Sequence, residues 1–143
     1  QGIKVRTSSY TRHHVNISMC KAKANGHYIN SMLALREALD CGCEEALLLD
    51  NEGYVAEGSG ENIFIVRDGV LYTPELTSCL DGITRKTIMQ LAGELGHGGW
   101  KCSRWASHEI LNAEAAKVTQ RPQRKSNSRL FLCGLCVLLR PLR

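Results

Sequence analysis

The stretch Glu57-Gly58-Ser59-Gly60-Glu61-Asn62-Ile63-Phe64-Ile65-Val66-Arg67-Asp68-Gly69-Val70-Leu71-Tyr72-Thr73 decides the fold class. Two apolar, β-prone runs, 62–66 and 70–73, flank Arg67-Asp68-Gly69. An Asp-Gly pair between such runs predicts a hairpin. Upstream, Gly58-Ser59-Gly60 breaks a short strand that begins at Tyr54, and by itself it reads as a tight turn of small residues. Working outward, Ala46-Leu47-Leu48-Leu49 closed by Asp50-Asn51-Glu52-Gly53 predicts a buried strand and a turn. Residues 2–10 open with Ile3 and Val5 alternating against Lys4 and Arg6, which predicts another strand. Residues 11–25 are polar and irregular, a loop. Two helices are expected. One spans 27–39, with Ile29, Met32, Leu33, Leu35 and Ala38 as its core face and Gly42 beyond its end. The other spans 84–95, with Ile88, Leu91, Ala92 and Leu95 inward and Gly96 as its stop. The loop 74–81 precedes it. The class is α+β.

The 143 residues are 43% hydrophobic and 22% charged, a globular composition. No apolar run reaches the length of a membrane span, and no basic n-region precedes an apolar stretch as in a secretory signal. The chain is therefore expected to be cytoplasmic. It begins with Gln1 rather than Met, which points to a missing N-terminus. The net charge of +4 is unevenly divided: residues 1–96 carry nine basic and twelve acidic side chains, −3, and residues 97–143 carry nine and two, +7. Seven irregularly spaced cysteines, without a secretion signal, read as free thiols. Cys133-Gly134-Leu135-Cys136 lacks a second ligand pair at zinc spacing, so no metal is expected. After Gly96 no clear period survives. Residues 97–143 read as a divergent basic tail, disordered or translated out of frame.

Three local features can carry chemistry. Asp81-Gly82-Ile83-Thr84-Arg85 opens a helix, where free amides and a threonine hydroxyl suit an anion; an ordinary N-cap by Asp81 or Thr84 is the alternative. Lys21 and Lys23 flank Ala22 among small residues beside a helix; such a lysine reads as a desolvated amine fit for Schiff-base chemistry, and the alternative is two solvated loop lysines. Glu57 ends a buried strand. There a carboxylate needs an arginine, a cation or a protonated ring nitrogen; an exposed turn glutamate is the alternative.

Taken together, these residues resemble a known set. Glu57-Gly58-Ser59-Gly60-Glu61-Asn62-Ile63-Phe64, then Leu71-Tyr72-Thr73, then Leu80-Asp81-Gly82-Ile83-Thr84-Arg85 resemble the signature of the class IV pyridoxal-phosphate aminotransferases. Lys21-Ala22-Lys23-Ala24-Asn25-Gly26-His27-Tyr28 resembles the family's cofactor-lysine segment. The match spans residues 1–96, and Lys23 with the strand 46–50 points to the bacterial branched-chain amino acid enzymes within the family. The resemblance implies the large cofactor-binding domain of the fold-type IV enzymes, incomplete here, with pyridoxal 5′-phosphate as cofactor. It implies that Lys23 carries the cofactor aldehyde and relays the proton, and that Glu57 pairs with the pyridine nitrogen. Tyr28 would bond the ring's 3-oxygen, Leu80 would pack on the ring face, and Gly82, Ile83 and Thr84 would hold the phosphate. Asn62 would bond loop backbone. The implied reaction passes an amino group from leucine, isoleucine or valine to 2-oxoglutarate.

D-amino acid aminotransferase and aminodeoxychorismate lyase share this constellation and are the alternatives within the family. A polyanion binder acting through Lys117, Arg121, Arg124, Lys125 and Arg129 is the alternative of another class; only Phe131 supplies an aromatic nearby. Nucleic acid and membrane are otherwise not expected as partners, and homo-oligomers are what the full-length family forms. Three departures from the family stand out. Its smaller domain with a phosphate-site arginine has no counterpart, and neither Arg12 nor Arg36 fits that role. Its Gly-Thr-Ala-type loop is missing after Gly96. His27 replaces the small amide more common there. The chain alone is therefore expected to be inactive or nearly so.

Overall fold

The computed structural model describes residues 3–67, 70–95 and 100–106, together with the backbone of two further strands at 117–119 and 136–139. Strand β1 is Val5–Thr7, a one-turn helix α1 is Val15–Ser18, and a 3-10 turn at Asn25–His27 leads into α2, Tyr28–Asp40. Then follow β2 (Glu45–Leu49), β3 (Val55–Gly58), β4 (Asn62–Arg67), β5 (Val70–Pro74), α3 (Ile83–Glu94) and β6 (Trp100–Ser103). The backbones of β7 (Lys117–Thr119) and β8 (Cys136–Leu139) complete the order. The mixed α+β class is as expected. Gly96, the expected helix stop, and Cys133 lie outside the described residues, as does most of the tail. Among the described residues five cysteines are free, and no helix is long and apolar enough to cross a membrane.

Two sheets form. In the first, β1 runs parallel to β2, and β2 pairs antiparallel with β3. The second has the order β6-β5-β4-β8-β7, with β4 and β5 forming the expected antiparallel hairpin. Strand β2 shows the period of 2 plainly. Ala46 and Leu48 face Ala34 and Ala38 of α2, while Leu47 joins Val55, Ile63 and Ile65 on the other side. Both faces are covered, so residues 46–49 are apolar without alternation. Its end is fixed by Asp50, whose Oδ1 accepts from Glu52 N and Tyr54 N at 2.9 Å each, with Gly53 at φ +86° taking the left-handed position of the turn. A third cluster packs α3 onto the hairpin through Phe64, Leu71, Ile88 and Ala92.

The core face of α2 corrects the sequence reading. Of the five residues expected inward, only Ala38 is buried; its companions are Ser31 and Ala34. Ile29, Met32 and Leu33 are exposed. Small side chains let the helix axis approach β2 closely, and the bulky residues are turned away. They form an outer apolar groove with Leu35, Arg36 and Leu39. In α3, Ile88 and Ala92 are buried as expected, but Leu95 is exposed and Arg85 is buried instead. The Arg85 guanidinium is held by Asp81 (3.5 Å), Pro74 O and Cys102 Sγ (3.3 Å each).

Candidate functional site

A cavity of about 270 Å³ opens between the loop before α2, the end of β3, the start of β4 and the start of α3. Lys23, Tyr28, Glu57, Leu80, Gly82, Ile83 and Thr84 all line it, although they come from segments far apart in the chain. Arg12, His27, Glu61 and Asn62 line it too.

The buried end is built on Glu57, only 5% exposed. Its Oε1 forms an ion pair with Arg12 Nε, and its Oε2 accepts from Leu80 N at 3.0 Å. Burial pushes the Glu57 carboxyl above the usual range, while the Arg12 charge and the Leu80 amide pull it back. Of the partners that a buried Glu57 requires, the arginine is thus supplied by the chain itself. Arg12 is 3% exposed, and its Nη1 has no hydrogen-bond partner among the described residues. Sequence reading passes over it, because an arginine in the polar run Thr11-Arg12-His13-His14 carries no local sign of burial.

The opposite wall is the start of α3. Gly82 occupies the N-cap with no side-chain cap hydrogen bond, so neither Asp81 nor Thr84 acts as the ordinary cap. Asp81 instead pairs with Arg85 and with Lys86 at 3.0 Å. The first amides of the helix are left for an anion. Asn62 Nδ2 donates to Leu80 O at 2.9 Å, the loop-backbone bond expected of it. A Cβ on Gly82 would collide with Asn62 Oδ1. Gly82→Ala should therefore break that bond or displace the helix start, at about 1–3 kcal/mol of stability by urea denaturation. Gly60→Ala, where a Cβ meets nothing within 4 Å, should stay within about 0.5 kcal/mol. Equal effects of the two would contradict this account.

Lys23 lines the cavity and is exposed in this chain. His27 shapes its loop. The ring Nδ1 lies 3.0 Å from Ala22 O, and since a carbonyl only accepts, Nδ1 carries the proton. The His27 ring also meets His13 edge-on, with centroids 5.5 Å apart.

Glu61 is only a letter of the motif in the sequence, yet it is 6% exposed and neither of its oxygens has a hydrogen-bond donor among the described residues. It faces the equally buried Glu45, whose Oε1 accepts from Ala46 N (2.7 Å) and Ser59 N (3.0 Å). Burial first, then the facing Glu45, disfavour the charged form of Glu61 and push its carboxyl up to about 8. An unfolded glutamate releases its proton near pH ~4.3. Between those values the folded chain holds a proton on Glu61 that the unfolded chain has lost, so the contribution of Glu61 to stability is greatest in acid and falls as pH rises toward 8. Glu61→Gln should remove that fall and raise Tm at pH 8 by several degrees. Parallel Tm-versus-pH curves for the two chains would refute the raised titration of Glu61.

The sequence model described as amino-transferase class IV matches residues 1–119. The branched-chain-amino-acid aminotransferase of Pseudomonas aeruginosa is 74% identical over 96 residues, covering 67% of this chain and 31% of that protein. The crystal structure of the Escherichia coli branched-chain amino acid aminotransferase superposes with a TM-score of 0.74 at 43% identity, covering 77% of this chain and 36% of that one. A T.th. branched-chain amino acid aminotransferase complexed with N-(5′-phosphopyridoxyl)-L-glutamate superposes with a TM-score of 0.73 at 48% identity, covering 76% of this chain and 36% of that one. The chain spans about a third of the length of the curated relatives it matches.

Proposed function

The chain belongs to the class IV amino-transferases, a family of pyridoxal-phosphate enzymes, and from that premise we propose that it forms the cofactor-holding part of a branched-chain amino acid aminotransferase. The proposed reaction exchanges an amino group between leucine, isoleucine or valine and 2-oxoglutarate, in the cytoplasm and within a homo-oligomer. The observation that carries the reading is the convergence of Lys23, Tyr28, Glu57, Leu80, Gly82, Ile83 and Thr84 on one cavity. Residues 1–96 are taken as the part that carries this site, and 97–143 as a divergent tail.

The donor set fits a phosphorylated pyridine aldehyde. An uncapped helix start suits the phosphate. A buried carboxylate lining the cavity suits a protonated ring nitrogen. A reachable amine suits the aldehyde. When bound, the cofactor supplies an electron sink for the substrate's α-carbon. The chain's residues do the rest. Lys23 Nζ would hold the aldehyde carbon and, once freed, move the proton at the substrate's α-carbon. Glu57 would keep the ring nitrogen protonated. Tyr28 Oη would bond the 3-oxygen. Leu80 would support the ring face, and the amides of Gly82, Ile83 and Thr84 would grip the phosphate.

The test is covalent. The purified chain is incubated with pyridoxal phosphate, reduced with borohydride and mapped by peptide mass. Label on Lys23 is expected; label spread over Lys4, Lys21, Lys86 and Lys101 would overturn the reading. Leucine turnover by the chain alone is expected at background.

A further inference from the structure

We propose that Arg12 is a positioning residue: its buried guanidinium fixes both the orientation and the charge of Glu57, and through Glu57 the cavity's grip on a protonated ring nitrogen. The inference rests on the functional reading just given. Its basis is geometric. Arg12 is anchored at its own backbone, where Arg12 N donates to Leu49 O at 2.7 Å at the end of β2. From there its side chain reaches Glu57, and both are almost wholly buried. The ion pair takes Oε1 and the Leu80 amide takes Oε2. With each oxygen held by a different element, the carboxyl plane cannot rotate without losing one partner.

The charge follows from the surroundings. The groups acting on Glu57 are the Arg12 guanidinium, the Leu80 amide, and the Cys79 thiol from the loop before α3. Cys79 is 2% exposed, bonds Glu75 O at 3.3 Å, and is pushed up to about 12 by burial, so it stays neutral. Arg12 is therefore the cation among the described residues that favours the ionised form of this carboxyl against the effect of burial. A neutral Glu57 could not hold a proton on a ring nitrogen, because it would itself carry one. A lysine would keep the charge but not the planar fork.

The experiment uses the full chain. Carboxyl ¹³C NMR of glutamate-labelled protein, without cofactor, follows the titration of Glu57, assigned from the signal lost in Glu57→Gln. In Arg12→Met the Glu57 signal should titrate at higher pH than in the wild type, with Arg12→Lys in between. An unchanged midpoint in both variants overturns the proposal. Borohydride labelling of Lys23 at graded pyridoxal phosphate gives the second readout. Arg12→Met should need at least about tenfold more cofactor, the scale on which supporting partners of a ligating side chain act. In a Glu57→Gln background the same substitution should change little; an equal loss there would mean that Arg12 acts structurally, and would also overturn the proposal. Should Arg12→Met not fold, Arg12→Lys decides by the same two readouts. Absence of Lys23 label in the wild type defeats the functional reading alone, and the titration still judges Arg12.

Discussion

Replacing Glu57 by alanine should cost about 3–5 kcal/mol of folding stability, because it strands a buried guanidinium. Arg12, almost wholly buried, would keep its charge with no opposing carboxylate. The Leu80 amide would lose its acceptor in the same step. A buried ion pair is weak evidence of net stabilisation, but a broken one is strongly unfavourable. The contrast separates the two. Glu57→Gln keeps an acceptor for Leu80 and should cost less. Arg12→Met combined with Glu57→Ala removes both charges and should recover part of the loss. Urea denaturation followed by circular dichroism measures all three. A Glu57→Ala chain as stable as wild type would mean that the pair contributes nothing to the cavity's buried end.

Lys23→Ala should have the opposite profile, with no structural effect and complete chemical loss. The side chain is exposed and makes no ion pair or hydrogen bond among the described residues, so stability should change by no more than about 0.5 kcal/mol. Borohydride labelling at the cavity should fall to background, since no other amine among the described residues lines it. Lys21, exposed two residues earlier and outside the cavity lining, serves as the control. If Lys21→Ala loses the label and Lys23→Ala keeps it, the assignment of the amine is wrong.

Much of this arrangement is legible in the residues because each signal is local. Asp50 and Gly53 write a turn; Asp68-Gly69 between two β-prone runs writes a hairpin whose strands pair as expected, Arg67 opposite Val70. Gly82-Ile83-Thr84 marks a helix start. What escapes is whatever depends on a distant neighbour. Helical period alone puts Ile29, Met32 and Leu33 inside, whereas the close approach of β2 selects Ser31, Ala34 and Ala38. Arg12 looks like loop polarity until Glu57, 45 positions away, is seen beside it. Glu61 looks like part of a turn until Glu45 is found facing it. Burial of a charged side chain is set by its partner, and the partner is not written next to it.

Leu80 has a consequence for how the cavity responds to change. Its amide answers to Glu57 on β3 and its carbonyl to Asn62 on β4, in the loop that opens α3. The two poles of the cavity therefore share a single hinge pin. Disturbing one should be felt at the other, so that energetic penalties at Glu57 and at Gly82 overlap instead of summing. A molecule gripping only one pole would still tighten its opposite, and the recess would behave as a clasp rather than as two separate hooks.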